Sequence, residues 1–341
     1  MTGTLTILQA GPLMTVQDMG RPGRIADGLS PGGALDRLAL LEATALLGLP
    51  QPRETIEMGG MGGKFRCDAP LRFALTGARM SARIDDAPLR WNASHRLEPG
   101  QTLTIGGAQA GAYGYLTPAG GIAATRTMDS AAAHLSVGLG AVLATGDRLA
   151  LGDDPCPDRA AQGLEPEERL GGGALRLMPG PQTDMFDADT RARLAGTTFR
   201  RSPRANRTGL PLVHDGAPFA PARTTSPVSD FVIAGDVQIT GDGTPYLMLA
   251  ECQTIGGYPR IGTVVAADLP RAAQAPTTAP LSFRWITTAE ADALCQTDAQ
   301  QLAALAARAA PLIRDPADIP DLLSYQLIGG MTAGRELESS S

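Results

Sequence analysis

A polar, glycine-containing segment at residues 251–262 (ECQTIGGYPRIG) lies between two short apolar runs, at 245–250 (PYLMLA) and 263–267 (TVVAA). Runs that are short, rich in Leu, Val and Tyr and bounded by turn residues are typical of buried β-strands. Pro259 restricts the backbone of the residue before it, which indicates a fixed loop on a sheet. Such loops often carry binding sites. A polar turn that only joins two strands explains the same residues equally well.

Strand-like runs separated by turn residues fill most of the chain, and only three stretches favour a helix. Leucine and alanine recur at helical spacing over 35–46, and Gly48 then ends the pattern. A second, short helix is predicted over 184–194. The third begins after a capping-box pattern at Thr287 and Glu290 and covers the alanine-rich residues 289–307. The sequence therefore predicts a mainly β fold with few helices.

Residues 153–173 are rich in Asp, Pro, Glu and Gly and show no periodicity. Such a composition predicts a linker or exposed loop between two β units. In the first unit, 71–75 and 80–84 are predicted as two separate strands, and so are 102–105 and 112–117.

Charge and lysine content exclude several classes of function. The formal net charge is −6 with a pI near 5.2, which disfavours nucleic acid or an anionic membrane as a partner. Lys64 is the only lysine, and its sequence context is unlike that of a biotin carrier. No apolar run reaches the ~20 residues that span a bilayer, and the N-terminus does not resemble a signal peptide. We expect a cytoplasmic protein that carries no biotin of its own.

The four cysteines are far apart and the three histidines lie in unrelated contexts, so we expect neither disulfides nor a metal site. Two short motifs fail on their chemistry. Residues 28–32 match G-x-S-x-G, but Pro31 follows the serine and has no N–H for an oxyanion hole. Residues 59–64 look like a phosphate loop, but Phe65 stands where Ser or Thr binds magnesium.

Segment 251–262 resembles the D-R-Q-T-T-G-G-Y-P-[RK]-I signature of the biotin-dependent carboxyltransferase family, also called allophanate hydrolase subunit 2. Segment 11–23 resembles the same family's G-x-x-T-[ST]-[VI]-Q-D-x-G-R-x-G motif. Further matches follow in order at 33–36, 56–57, 75–78, 119–122 and 178–182. The family includes the C subunit of bacterial 5-oxoprolinase, the C-terminal half of the urea carboxylase carboxyltransferase domain, and a sporulation protein that antagonises a kinase inhibitor.

The resemblance implies two β-barrel-like subdomains, the second similar to the cyclophilin barrel, with a few peripheral helices. We place a carboxyltransferase-type subdomain at 1–160 and a cyclophilin-like barrel at 171–295. A helical or irregular C-terminal segment then covers 296–341.

The resemblance also implies a function. The chain is expected to be one subunit of an ATP-dependent amide or lactam hydrolase similar to 5-oxoprolinase, inactive alone, that acts on a small amide or carboxylate substrate. ATP, and biotin if it takes part, are expected on partner subunits. The expected partner resembles allophanate hydrolase subunit 1. Two alternatives stay open: a carboxyltransferase component of a urea carboxylase-type system, and a non-catalytic partner of a kinase-inhibitor-like protein.

Residue by residue, the resemblance implies catalytic roles for Glu251 and Tyr258. The substrate-binding residues that it implies are Arg207, Gln253, Thr254, Gly256, Gly257 and Arg260. Other polar residues of the matched motifs are as compatible with buried structural hydrogen bonds as with catalysis, and these are Gln17, Asp18 and Asp36.

The chain departs from the family pattern in two places. Glu251 and Cys252 stand where the family has Asp-Arg, and Asn206 and Thr208 flank Arg207 where the family has D-R-M. A different substrate or a non-catalytic role follows if the missing arginine contacts an anion.

Overall fold

The computed structural model of the chain describes residues 3–222 and 228–312. The first part of the chain forms ten strands: β1 (Thr4–Gln9), β2 (Met14–Gln17), β3 (Thr55–Gly59), β4 (Lys64–Cys67), β5 (Leu71–Ile84), β6 (Ala87–Pro88), β7 (Ala93–Leu97), β8 (Leu103–Pro118), β9 (Arg148–Ala150) and β10 (Gln162–Gly163). The second part forms β11 (Gly173–Met178), β12 (Phe199–Arg201), β13 (Gly209–Val213), β14 (Asp230–Phe231), β15 (Asp236–Ile239), β16 (Pro245–Met248), β17 (Ile255–Gly256), β18 (Arg260–Val264), β19 (Pro280–Trp285) and β20 (Ala310–Pro311).

Helices are few, as predicted. The α-helices are α1 (Arg37–Leu47), α2 (Ala188–Gly196), α3 (Leu269–Gln274), α4 (Thr288–Ala293) and α5 (Asp298–Arg308), and short 3-10 turns cover Ile25–Asp27, Leu135–Val137, Thr183–Met185 and Ala266–Asp268. Gly48 ends α1 in the left-handed conformation, and the predicted capping box at Thr287 and Glu290 is present. The single helix predicted over 289–307 is instead two helices, because Thr297 forms a second capping box.

An 11-stranded sheet holds the first part of the chain together, in the order β20-β10-β7-β5-β8-β4-β1-β9 with β2, β3 and β6 paired at its side. Its two long strands, β5 and β8, pair along most of their length. The prediction of separate strands at 71–75 and 80–84 is therefore wrong, and so is that at 102–105 and 112–117. The chain continues through both positions because irregularities near Gly77, which has φ of +75°, bend the strand pair without ending it.

Seven strands of the second part close into a barrel in the order β11-β18-β15-β16-β13-β12-β19. All neighbouring pairs that close this ring are antiparallel except β11 and β19, which run parallel. The fold class, mainly β with few helices and a barrel in the second half, is confirmed. The predicted division at 1–160, 171–295 and 296–341 stays a prediction, and residues 313–341 lie outside the described part.

The barrel and the first unit share one hydrophobic core. Leu35 and Leu40 of the α1 region and Tyr115 of β8 belong to the same buried cluster as Leu175 and Phe199 of the barrel. Burial of apolar surface between the units stabilises their relative positions. The cleft described below lies at this junction.

Arg169 fixes the segment that joins the two units, although the sequence predicts a linker or exposed loop there. The residue is 4% exposed, and its guanidinium donates to Asp36 at 2.8 Å and to both carboxylate oxygens of Glu42 at 2.8 and 2.7 Å. Burial lowers the pKa of Arg169, but the two carboxylates outweigh burial and raise it. The connection is therefore attached to the N-cap and to the middle of α1. Loss of either carboxylate would leave Arg169 with less compensation for its buried charge, which is costly.

Within residues 3–222 and 228–312, no helix has the length and apolar character needed to cross a membrane. The same residues contain no cluster of three or more His, Cys, Asp or Glu side chains placed to hold a metal ion.

Candidate functional site

A cleft of about 400 Å³ opens between the loop from β2 to α1 (residues 18–36, called the first loop below), the segment at 134–137 and the start of the signature segment at 251–262. Its lining consists of Gly28, Leu29, Ser30, His134, Ser136, Val137, Thr208, Glu251, Cys252, Gln253, Thr254 and Ile255. The first loop and the signature are connected directly, since Gly32 N donates to Ala250 O at 3.0 Å. Residues far apart in sequence thus form one concavity in which apolar and polar side chains are mixed, as ligand sites commonly do.

Glu251 is the carboxylate of this cleft, and Arg207, which lies outside the lining, forms an ion pair with it. The Nε of Arg207 donates to Glu251 Oε1, its Nη1 donates to Glu57, and its Nη2 donates to Gly33 O at 2.6 Å. Burial lowers the pKa of Arg207, and the carboxylates of Glu57 and Glu251 raise it by more. The guanidinium is therefore a permanent cation that orients Glu251.

Glu57 anchors this arrangement to the first unit. Its Oε2 accepts hydrogen bonds from Leu35 N at 2.9 Å and from the Tyr115 hydroxyl at 2.8 Å. Burial, together with the charges of Glu57 and Asp36, raises the pKa of Tyr115 well above its ordinary value, so the phenol stays protonated and donates. The signature of the barrel, Arg207 and β3 of the first unit thus form one buried hydrogen-bonded network, whose members support one another in a low-dielectric interior.

One oxygen of Glu251 has no hydrogen-bond partner among the described residues. Oε1 is engaged by Arg207, whereas Oε2 makes no hydrogen bond with any described residue. A carboxylate oxygen at the wall of a cleft can accept an N–H or O–H, or exchange a proton with it. This is the feature that gives the cleft chemical capability.

The predicted site residues fall into two groups. Glu251, Gln253 and Thr254 line the cleft, and Gln253 Nε2 donates to Gln238 Oε1 at 3.2 Å. Arg207 lies directly behind Glu251. The remaining residues lie outside the lining, and these are Gly256, Gly257, Tyr258 and Arg260.

Gly256 belongs to the short strand β17, and a side chain there would come within 2.9 Å of Gln238 Nε2. Tyr258 is 49% exposed. Arg260 is 9% exposed and forms ion pairs with Asp230 and Asp236, both inside the second unit. The catalytic role of Tyr258 and the binding roles of Arg260, Gly256 and Gly257 stay predictions.

Cys252 replaces the arginine of the family pattern and turns toward apolar neighbours. It is 3% exposed and packs with Val232 and Met248. Burial, with a smaller contribution from the charge of Asp236, raises the pKa of its thiol to about 12. Because the thiolate is the reactive form, Cys252 is a neutral packing residue at neutral pH.

The polar residues of the first motif act mainly as ties between loops. Asp18 accepts from Gly20 N and Ser130 Oγ, both at 2.7 Å. Gln17 donates to Ala133 O at 3.2 Å. Gln17 and Asp18 therefore make the structural hydrogen bonds that the sequence analysis gave as one of their two possible roles. Asp36 also has a structural role, since it caps α1 and pairs with Arg169.

Sequence reasoning missed two residues of the cleft, Ser30 and His134. Both side chains are 2% exposed and both line the cleft. Burial lowers the pKa of His134, Glu251 raises it, and Arg21 and Arg207 lower it further. Ser30 Oγ makes no hydrogen bond within residues 3–222 and 228–312, so no base there activates it as a nucleophile. Ser30 belongs to the rejected G-x-S-x-G match, and nothing in the local sequence distinguishes His134.

Comparison with known proteins agrees with this architecture. The sequence model described as "Carboxyltransferase domain, subdomain A and B" matches residues 27–285. The chain is 35% identical over 285 residues to the C subunit of 5-oxoprolinase from Escherichia coli K12, covering 82% of this chain and 90% of that protein. Identity to the Haemophilus influenzae protein of the same name is 28% over 293 residues, covering 84% and 93%. The crystal structure of K. lactis urea amidolyase superposes with a TM-score of 0.80 at 20% identity, over 92% of this chain and 21% of that one.

Proposed function

The chain belongs to the carboxyltransferase-domain family of subdomains A and B, and from this we propose that it is a subunit of a 5-oxoprolinase-type amide or lactam hydrolase. The bacterial relatives, both named as the C subunit of 5-oxoprolinase, match over most of their own length. In this proposal the chain contributes the cleft at Glu251, and the substrate is a small amide or lactam.

The observation that carries the proposal is the half-engaged carboxylate of Glu251. Arg207 fixes Oε1, and Oε2 remains for a substrate N–H or for a proton in transit. Cleavage of an amide needs proton transfer to its nitrogen, and a positioned carboxyl group contributes typically 10²–10⁴-fold to such a step. Glu251 is thus assigned as the acid or base of the reaction.

ATP use is assigned to a companion subunit. The loop at 59–64 has its N–H groups occupied by the sheet, since Gly60 N donates to Ala112 O at 2.8 Å and Gly62 N donates to Gly106 O at 3.0 Å. Amides held in this way are not available to cradle phosphates, as a phosphate loop requires. The companion is expected to resemble allophanate hydrolase subunit 1. A multi-subunit assembly is supported by the relatives, whose names make each of them one subunit of an enzyme.

The test is turnover by the assembled complex. We expect Glu251→Gln to lower the rate of lactam hydrolysis by about 10²-fold or more, while Glu251→Asp keeps part of it. Glu54→Gln is the matched control, because Glu54 is also a buried carboxylate paired with an arginine, Arg126, but lies outside the cleft. Unchanged turnover in Glu251→Gln would contradict the catalytic role of Glu251. The chain would then act only by binding its companion subunit, as a regulatory partner does.

Carboxyl transfer is the second candidate, and the description of the family favours it. In that case the companion carries biotin, since the only lysine, Lys64, lies in strand β4 and outside any carrier-like context. Assays of the same complex with bicarbonate and a biotinylated partner separate the two: lactam hydrolysis independent of biotin supports the first candidate.

A further inference from the structure

Among the residues that the structure describes, three buried polar atoms beside the cleft find no hydrogen-bond partner: Arg21 Nη1, Ser30 Oγ and His134 Nδ1. Their residues are each 2% exposed. A buried polar group without a partner costs about 1–3 kcal/mol. Three such groups, two from the loop between β2 and α1 and one from the segment at 134–137, are unusual because most buried polar atoms in protein interiors are paired.

Two of these atoms face a common open point. A Cβ built on Gly32 would lie 3.3 Å from Arg21 Nη1 and 3.7 Å from His134 Nδ1, with no other heavy atom within 4 Å beyond the adjoining chain. The absence of a side chain at Gly32 therefore leaves an atom-sized space between the two nitrogens. Ser30 and His134 both belong to the cleft lining, so this space adjoins the cleft.

Two of the three guanidinium nitrogens of Arg21 are held by hydrogen bonds, and the third is open. Its Nη2 donates to Ala132 O at 2.5 Å and its Nε to Thr127 O at 3.4 Å, which leaves Nη1 as the free donor. A fixed guanidinium with a free N–H, a serine hydroxyl and an imidazole together present hydrogen-bond donors. Their natural complement is a planar anion with two acceptor oxygens.

We propose that Arg21, Ser30 and His134 form a carboxylate subsite of the cleft. Arg21 Nη1 donates to one carboxylate oxygen, and Ser30 Oγ and the protonated His134 Nδ1 donate to the carboxylate as well. Glu251 Oε2, in the same cleft, accepts an N–H from the other end of the ligand. The occupant is then a small carboxylate with an N–H donor at its other end, and the contact of that N–H with Glu251 rests on the proposed function.

The experiment is an NMR titration of the purified full chain with two matched ligands, cyclopentanecarboxylate and its neutral carboxamide. Neither can be hydrolysed as a lactam, so the result reports the subsite independently of catalysis. We expect the carboxylate to bind at least about ten-fold more tightly than the carboxamide, because hydrogen bonds to a charged group contribute the larger share. Ser30→Ala should weaken carboxylate binding about ten-fold, and Arg21→Gln by ten-fold or more.

Ser30→Ala also separates a loss of binding from a loss of folding. Its hydroxyl has no partner to lose, so the melting temperature should stay the same or rise while affinity falls. Arg72→Gln is the control for general destabilisation: Arg72 is a buried arginine that also has a free Nη1, but it pairs with Asp154 away from the cleft. Carboxylate affinity should not change in that variant.

Equal affinity for carboxylate and carboxamide, or carboxylate affinity unchanged in both Ser30→Ala and Arg21→Gln, overturns the subsite. Bicarbonate is titrated in parallel, because it presents the same carboxylate oxygens as a carboxyl group that is being transferred. If bicarbonate binds more tightly than cyclopentanecarboxylate, and Ser30→Ala and Arg21→Gln both weaken that binding, the subsite is supported with bicarbonate as its occupant. If the chain binds the carboxylate selectively but the assembled complex hydrolyses no lactam, the subsite is supported and the proposed function is contradicted.

Discussion

Arg260 and Gln182 are joined by two hydrogen bonds to a single oxygen: the backbone N–H and the side-chain Nε of Arg260 both donate to Gln182 Oε1, at 3.0 and 3.3 Å. The other end of the guanidinium contacts Asp230, Asp236 and Phe231 O. Every nitrogen of this side chain therefore has a partner inside the barrel unit. The geometry favours a structural tie over the ligand contact that the sequence predicts.

Arg260→Ala is expected to destabilise the protein by about 2–3 kcal/mol, because it removes charge-assisted hydrogen bonds and leaves the 3%-exposed Asp236 side chain without its cation. Thermal or denaturant unfolding measures the loss. Ligand affinity at a temperature where the variant is folded should change little. A loss of affinity of ten-fold or more with unchanged stability would instead restore the binding role.

Cys252 is predicted to resist alkylation. With its pKa raised to about 12, almost none of this thiol is thiolate near pH 8, whereas Cys295 is exposed. Iodoacetamide followed by mass spectrometry should label Cys295 and leave Cys252 unlabelled in the native protein. Unfolded protein, in which all four cysteines react, is the control. Rapid native labelling of Cys252 would contradict the packing described here.

The sequence predicted the elements with strong local signals. Gly48 at the end of α1 and the capping box at Thr287 are confirmed, because each depends on a few neighbouring residues. The strand count in the first sheet could not be predicted in the same way. A glycine such as Gly77 is compatible with a turn, and only the long pairing of β5 with β8 shows that the strand continues through it.

The cleft shows a similar limit. The signature segment indicated Glu251 and Gln253, which do line the cleft. His134 and Ser30 reach the same cleft only because the segment at 134–137, the first loop and the signature segment meet in space. Local sequence patterns do not predict such tertiary contacts. Isolated polar residues in loops are ambiguous until their partners are known, since most are simply tied by hydrogen bonds.

Carboxylate binding should strengthen as the pH falls. Burial lowers the pKa of His134 in the free protein, with Arg21 and Arg207 acting in the same direction and Glu251 against it. A bound carboxylate raises that pKa, so binding takes up a proton wherever the free imidazole is neutral. The dissociation constant for cyclopentanecarboxylate should therefore be lower near pH 6 than near pH 8. His134→Gln should remove this dependence and Ser30→Ala should keep it; a slope unchanged in His134→Gln would contradict the assignment.

A patch of exposed apolar side chains borders the cleft on the ribbon formed by β14 and β17. Phe231 and Ile255 are paired across the two strands, and each is 58% exposed. Val228, Ile233 and Tyr258 are exposed nearby in the chain. Exposed apolar clusters often mark protein–protein contacts, and Ile255 also lines the cleft. We expect this ribbon to be covered by the companion subunit.

Replacing Phe231 and Ile255 together by Ser should therefore weaken binding of the companion subunit by ten-fold or more, since the few well-packed residues at the centre of an interface each cost about 2 kcal/mol or more when truncated. The melting temperature of the chain alone should change little, because both side chains are largely exposed. Co-expression with the companion, size-exclusion chromatography and a titrated affinity measure the effect. Val213→Ser, at a 45% exposed position on β13, is the matched control and should bind normally. Unchanged affinity in the double variant would place the companion elsewhere on the surface.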